Sequence, residues 1–207
     1  MAEISAQLVK QLREKTGAGL MECKAALIEA KGNLDEAEVV LRKKGIASAS
    51  KKSSRSTKQG VISAYIHPGS QLGVLIEVNC ESDFVARTEH FQELVKDLAM
   101  QIAAADPKFI RREDVTPEVM AKEKEIQKAR AMNEGKPEKV AEKIVEGRMS
   151  KFFEEVCLLD QQFIKETNTS VAELIKAKIA KLGENITVAR FSRFKVGETA
   201  GDQPPTE

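Results

Sequence analysis

The sequence predicts an α+β fold: a three-helix module at the N-terminus, a linker, and a core whose helices lie against a small antiparallel sheet. Three observations carry this. Apolar residues recur at helical spacing in three short runs between residues 5 and 45. The period then drops to two over residues 60–79, on either side of Pro68-Gly69-Ser70-Gln71. A last helical run after Ser170 is followed by alternation from Ile186 to Val196. A switch between periods of 3.6 and 2 is a switch between helix and strand.

In the first run Leu8, Val9 and Leu12 form a stripe after Ser5, and Thr16-Gly17-Ala18-Gly19 breaks it. Leu20, Lys24, Leu27 and Ile28 mark a second helix that stops at Gly32. Asn33-Leu34-Asp35-Glu36 has the form of a capping box, in which Asn33 accepts from an early helical N–H and Glu36 reaches back. Leu34, Ala37, Val40 and Leu41 supply the third apolar face, closed by Gly45. Three helices in so short a span have a marginal core of their own, so residues 1–45 read as a docking module. Ile46 to Lys58 is rich in Ala, Ser and Lys without apolar periodicity, and reads as a basic flexible linker.

The core, residues 59–198, opens with a hairpin. Val61, Ser63, Tyr65 and His67 alternate with Ile62, Ala64 and Ile66; after the turn, Leu72, Val74, Ile76 and Val78 form one face of the second strand. Thr88 caps a helix whose inner face is Phe91, Leu94, Val95, Leu98 and Ile102, ended by Asp106-Pro107. Thr116-Pro117 is a cap followed by proline at the first helical position. The helix beyond it, to about Asn133, is highly charged, and Gly135-Lys136-Pro137 restarts the chain into another that reaches about Leu159. Residues 117–165 therefore read as a helical insertion. Ser170-Val171-Ala172-Glu173 is a second capping box, opening a helix with Leu174, Ile175, Ile179 and Leu182 inward. Residues 199–207 are polar with a Pro pair and are expected to be disordered.

Composition removes several classes of function. The net charge is +1, although residues 1–58 carry 12 Lys and Arg against 7 Asp and Glu while the remainder carries 21 against 25. The chain as a whole is not a nucleic-acid binder, and with no Trp and one Tyr it lacks the aromatics that stack bases. Cys23, Cys80 and Cys157 are far apart and odd in number, as expected of buried thiols in a reducing cytosol and not of a disulfide framework or a zinc site. No apolar run is long enough to span a bilayer, and no signal-peptide pattern is present. Cys80, His90 and Asp83 can be drawn as a triad, but a cysteine at a strand end is more simply a buried apolar residue. Thr16-Gly17-Ala18-Gly19 lacks the lysine of a phosphate loop, and no metal ligands cluster.

One stretch stands out: Asn79-Cys80-Glu81-Ser82-Asp83-Phe84-Val85-Ala86-Arg87, at the exit of a strand and the entry to a helix. Ser82 and Asp83 are both competent caps, and a large apolar side chain follows them. Phe84 either packs under the first helical turn or is presented to a partner.

Thr16-Gly17-Ala18-Gly19-Leu20-Met21-Glu22-Cys23-Lys24-Ala25-Ala26-Leu27 resembles the N-terminal signature of the translation elongation factor Ts family, and Val78 to Arg87 resembles its second signature. The family has Thr where this chain has Ser82, a change that keeps the hydroxyl and the cap. The likeness runs from Ala2 to about Glu198. It implies a guanine-nucleotide exchange factor that binds elongation factor Tu in its GDP-bound and nucleotide-free forms, with no covalent chemistry, cofactor or metal of its own. It further implies that Ser82, Asp83, Phe84 and Val85 form the element that disturbs the GTPase's magnesium site, the Phe acting as a wedge. The N-terminal module is implied to grip the GTPase, with Leu12, Arg13, Thr16, Gly17 and Met21 as candidates, although Leu12 and Met21 serve equally well as bundle core. This chain carries one sheet unit, and some short members of the family pair with a second copy, so a homodimer is expected. Membranes and specific nucleic acids are not expected partners, and the location is cytoplasmic. The competing expectation is a ubiquitin-associated-like three-helix module on a scaffold that binds other proteins or RNA; steep loss of binding with salt would favour it.

Overall fold

The computed structural model describes residues 4–135 and 137–198. Its first three helices are α1 (Ala6–Thr16), α2 (Leu20–Glu29) and α3 (Leu34–Lys52). Each boundary has a local cause. The Ser5 hydroxyl accepts from the Leu8 N–H, and Gly17 ends α1 in the left-handed conformation, with φ 68°. Glu22 reaches back to the Gly19 N–H at the start of α2. The Asn33 carboxamide oxygen accepts from the N–H groups of both Asp35 and Glu36. Val9, Leu12, Cys23, Ala26, Leu27, Ala30 and Ala37 form the bundle core. The α2 stripe is thus rotated from the expected one: Leu20 and Ile28 are exposed, and the small side chains of Cys23, Ala26 and Ala30 are buried. Small residues let three short helices approach closely, which matters where there is little apolar volume to share.

The third helix does not end at Gly45. It runs seven residues further, to Lys52, and Ala49 is buried. Residues 46–52 were expected to be linker because they show no apolar periodicity, but Ala, Lys and Ser are tolerated or favoured in a helix. Gly45 is also sterically useful there, because a Cβ on it would lie 3.0 Å from that of Ala180. The segment after the helix is held as well. The Asn185 amide, itself buried, donates to the carbonyls of Ser53 (3.2 Å) and Arg55 (2.8 Å), and the hydroxyls of Thr57 and Thr187 are 2.8 Å apart.

Strands β1 (Gln59–Ile66) and β2 (Leu72–Cys80) form the expected hairpin, and β5 (Ile186–Lys195) lies on the other side of β2. Gln71 meets Val196 while Glu81 meets Asn185, so β5 runs antiparallel to β2. Gly60, at φ 151°, brings β1 over the end of β2 so closely that a Cβ would sit 2.3 Å from the Val78 carbonyl oxygen. The inner face of β2 is Val74, Ile76, Val78 and Cys80, all buried. The short helix α4 (Asp83–Ala86) and the long α5 (Glu89–Ala105) follow, and Phe91, Leu94, Val95, Leu98 and Ile102 of α5 are buried as the spacing predicts.

Helices α6 (Pro117–Asn133) and α7 (Glu138–Val156) make the insertion an antiparallel hairpin, closed by small buried residues, Ala131 and Ala141, with Met149. Thr116 caps α6 as expected, accepting from the Val119 N–H. A two-stranded antiparallel ribbon, β3 (Gln162–Phe163) with β4 (Glu166–Ser170), follows and was not expected. It is tied down by Gln101 of α5, fully buried: its amide donates to Gln161 and to the Gln162 carbonyl, and its oxygen accepts from the Ile164 N–H at 2.9 Å. Helix α8 (Val171–Leu182) opens on the expected capping box, with Ser170 and Glu173 bonding each other's N–H groups. The chain divides into two compact units: one of residues up to Val61, Val78–Leu94 and Ile175–Thr187, the other of Ile62–Glu77, Val95–Leu174 and the residues from Val188 on. The expected tail, 199–207, lies outside the described residues.

Candidate functional site

The first unit holds all the sequence candidates. Strand β2 ends at Cys80, and two residues later Ser82 caps α4 in extended conformation, its hydroxyl accepting from the Val85 N–H at 3.4 Å. Helix α4 is only one turn, so its own hydrogen bonds cannot hold it. It is anchored from beneath by Ala86, 4% exposed, and from behind by Thr88, whose hydroxyl donates to the Val85 carbonyl and accepts from the Phe91 N–H. Asp83 pairs with Arg87 one turn on, at 3.0 Å. With the turn fixed this way, Val85 is half-buried and Phe84 points outward, 80% exposed. Its ring takes no part in the core, so it does not pack under the first helical turn.

The turn is braced from the far end of α8. Gly183, at φ 81°, stops that helix and sends the chain back toward Ser82. The Glu184 carboxylate accepts from both the N–H (2.9 Å) and the hydroxyl (2.6 Å) of Ser82. In the other direction, Glu81 accepts from the Asn185 N–H at 2.6 Å and pairs with Arg55 at 3.5 Å. Glu184 and Asn185 were not among the sequence candidates; they lie a hundred residues from the motif, and no local pattern links them.

Cys80 is no nucleophile. It is buried, its thiol lies 3.1 Å from the Ser82 carbonyl, and burial, with Glu184 nearby, pushes its pKa up. His90 is engaged with Glu93 instead, at 3.5 Å. Among the described residues no group of three or more His, Cys, Asp or Glu stands together as a metal site requires, and no helix is long and apolar enough to cross a membrane.

The five N-terminal candidates divide. Arg13 and Gly17 are exposed, and Met21 is 73% exposed beside an exposed Leu20. Leu12 is fully buried and belongs to the bundle core, so it supports the surface without forming it. Thr16 is half-buried and turned inward: its hydroxyl donates to the Leu12 carbonyl at 2.7 Å and accepts from the Ala18 N–H. Gly17 lies against α8, where a Cβ would come 2.8 Å from Cε of Lys181. The left-handed glycine thus serves both the helix end and this close approach.

A family model described as elongation factor TS matches residues 3–198 of the chain. The chain belongs to the elongation factor Ts family. It is 70% identical over its whole length to elongation factor Ts of Solibacter usitatus, of which it covers 98%. It is 64% identical over 195 residues to that of Koribacter versatilis and 57% identical over 195 residues to that of Carboxydothermus hydrogenoformans, covering 89% and 90% of those proteins. Members of the elongation factor Ts family promote guanine-nucleotide exchange on elongation factor Tu, and this chain is such a factor. The interaction-scaffold alternative loses its ground, since its three-helix module is accounted for within the elongation factor Ts match.

Proposed function

We propose that Phe84 is the side chain with which this factor loosens the magnesium and phosphate site of elongation factor Tu, with Ser82, Asp83 and Val85 holding it in place. The observation that carries this is an aromatic ring 80% exposed on a turn that is fixed by the Ser82 cap, the buried Ala86 and the Thr88 hydroxyl. Magnesium bridges the nucleotide's phosphates, so a wedge that disturbs its support weakens GDP binding. The work is done by binding alone, without a covalent bond made or broken. A factor that binds the nucleotide-free GTPase more tightly than the GDP-bound form must, by linkage, lower the affinity for GDP by the same factor. We read the three-helix bundle as a ubiquitin-associated-like docking module that grips the GTPase through Arg13, Gly17 and Met21, and the α6–α7 hairpin as a projecting insertion. Three buried, unpaired thiols fit a cytoplasmic setting.

Release of fluorescent GDP from elongation factor Tu tests the reading. Phe84→Ala is expected to lower the maximal rate by about ten-fold or more, while Arg13→Ala and Met21→Ala raise the concentration needed for half-maximal rate. Undiminished exchange by a folded Phe84→Ala variant removes the wedge from the mechanism.

The same reading extends to assembly. The outer face of the sheet in the second unit carries Ile66, Leu75, Phe194 and Val196, with Phe194 65% and Val196 70% exposed around a concavity of about 400 Å³. Ile66 lies over Gly73, where a Cβ would sit 3.0 Å from its Cδ1. A second copy of the chain would bury this face, giving a homodimer that engages two molecules of elongation factor Tu.

A further inference from the structure

We propose that Glu184 is a positioning residue for exchange: it fixes the hydroxyl of Ser82 and thereby the direction in which α4 presents Phe84. The inference rests on the reading of Phe84 given above. Its basis is the arithmetic of donors and acceptors at one oxygen. A carboxylate only accepts, so the Ser82 hydroxyl, 2.6 Å from Glu184, must donate to it. That leaves the lone pairs of the same oxygen for the Val85 N–H, the cap that starts α4. The second carboxylate oxygen takes the Ser82 N–H at 2.9 Å, so backbone and side chain of one residue are both gripped by one charged group.

A one-turn helix cannot fix its own axis by its backbone bonds; Ala86 and Thr88 hold its far end, and Glu184 holds its start through Ser82. Without Glu184 the hydroxyl rotor of Ser82 is free, the cap is made only part of the time, and the ring two residues on samples a cone of directions. Glu184 itself is well placed to be rigid. It follows the left-handed Gly183, and its neighbour Asn185 is held from one side by Glu81 and donates on the other to the carbonyls of Ser53 and Arg55. The two chain segments, 81–82 and 184–185, exchange carboxylates in both directions, so the turn that bears Phe84 is referenced to the end of α8.

The test is stopped-flow release of fluorescent GDP from elongation factor Tu by the full chain, read as maximal rate and half-saturating concentration. Glu184→Ala is expected to lower the maximal rate about ten-fold and to leave the half-saturating concentration within about two-fold, because the docking surface on α1 and α2 is untouched. Glu184→Gln keeps one acceptor oxygen for the two Ser82 donors and is expected to restore part of the rate. In a double-mutant cycle, Ser82→Ala with Glu184→Ala is expected to lose less than the product of the two single losses, since the two share the Ser82 hydroxyl. A parental maximal rate in Glu184→Ala, or losses that multiply in the double variant, would overturn the proposal. Should Glu184→Ala not fold, Ser82→Ala carries the test, with several-fold loss expected and a parental rate overturning it. Phe84→Ala run alongside separates the two readings. Loss there beside full activity in Glu184→Ala sinks the positioning role alone; full activity in Phe84→Ala sinks the wedge, and the positioning role with it.

Discussion

Two phenylalanines seven residues apart show what a side chain's surroundings decide. Phe91 is fully buried and Phe84 is 80% exposed. Truncating Phe91 to alanine should cost about 3–5 kcal/mol of folding stability. Phe84→Ala should change it by no more than about 0.5 kcal/mol while exchange collapses, and denaturant unfolding of both variants beside their GDP-release rates checks the contrast. The thiols make a second residue-scale prediction. Burial pushes the Cys157 thiol up to about 11 from an ordinary value near 9. Between those values the unfolded chain has lost a proton that the folded chain keeps, so this group's contribution to stability is intact below about pH 9 and falls as pH rises toward 11. Native protein at neutral pH should react with a thiol reagent far more slowly than unfolded protein; fast labelling of Cys80 or Cys157 in the native state would contradict their burial. At this scale the sequence was legible wherever a residue's role is set by its immediate neighbours, as with Asn33, Thr88, Thr116 and Ser170 as caps. It was illegible for Leu12, which helical spacing alone assigns equally to core or surface.

Elements were legible where a hydrophobic period or a cap announced them, and obscure where something distant holds them. The ribbon Glu166-Thr167-Asn168-Thr169-Ser170 has no apolar alternation to read; the buried amide of Gln101 secures its neighbourhood from sixty residues away. The end of α3 was missed for the complementary reason: polar, small residues continue a helix without any period, and Asn185 then pins the next turn. This gives an element-scale prediction. Asn185→Ala frees the carbonyls of Ser53 and Arg55 and should speed tryptic cleavage after Arg55 several-fold, measured as the rate at which that fragment appears in a mass spectrum. If Arg55 is cut equally fast in both proteins, residues 53–57 are not held by Asn185. Gly183 ends α8 at φ 81°, so Gly183→Ala should cost roughly 1–2 kcal/mol. It should also slow exchange through the displaced Glu184, whereas Gly69→Ala, at φ 92° in the hairpin turn, should carry a similar strain without the kinetic effect.

At the scale of the whole molecule the outer face of the sheet is the feature that calls for a partner. A three-stranded sheet with apolar residues on both sides is unusual for an antiparallel sheet facing water, which ordinarily alternates apolar-in with polar-out. Here Leu75 stands outward between the buried Val74 and Ile76, 48% exposed, and Ile66, Phe194 and Val196 extend the patch across all three strands. The Glu77–Arg190 ion pair, at 2.7 Å, supplies a polar group farther along β2 and β5. An apolar centre with charge toward one margin is the pattern of an association surface, and a face of this kind that meets its own copy across a two-fold axis closes without leaving an edge for further growth. The chain is therefore expected to sediment as a dimer at micromolar concentration, with a Tm that rises with protein concentration because dissociation and unfolding are linked. Leu75→Asp places a carboxylate in the middle of the patch; it should give a folded monomer whose Tm no longer depends on concentration. The complex with elongation factor Tu should change from two-plus-two to one-to-one in that variant, while the maximal rate of GDP release per chain stays near that of the parent, since Phe84 and its brace lie in the first unit. A parent chain that sediments as a monomer throughout, or a Leu75→Asp chain that remains a dimer, would show that this face is not the interface.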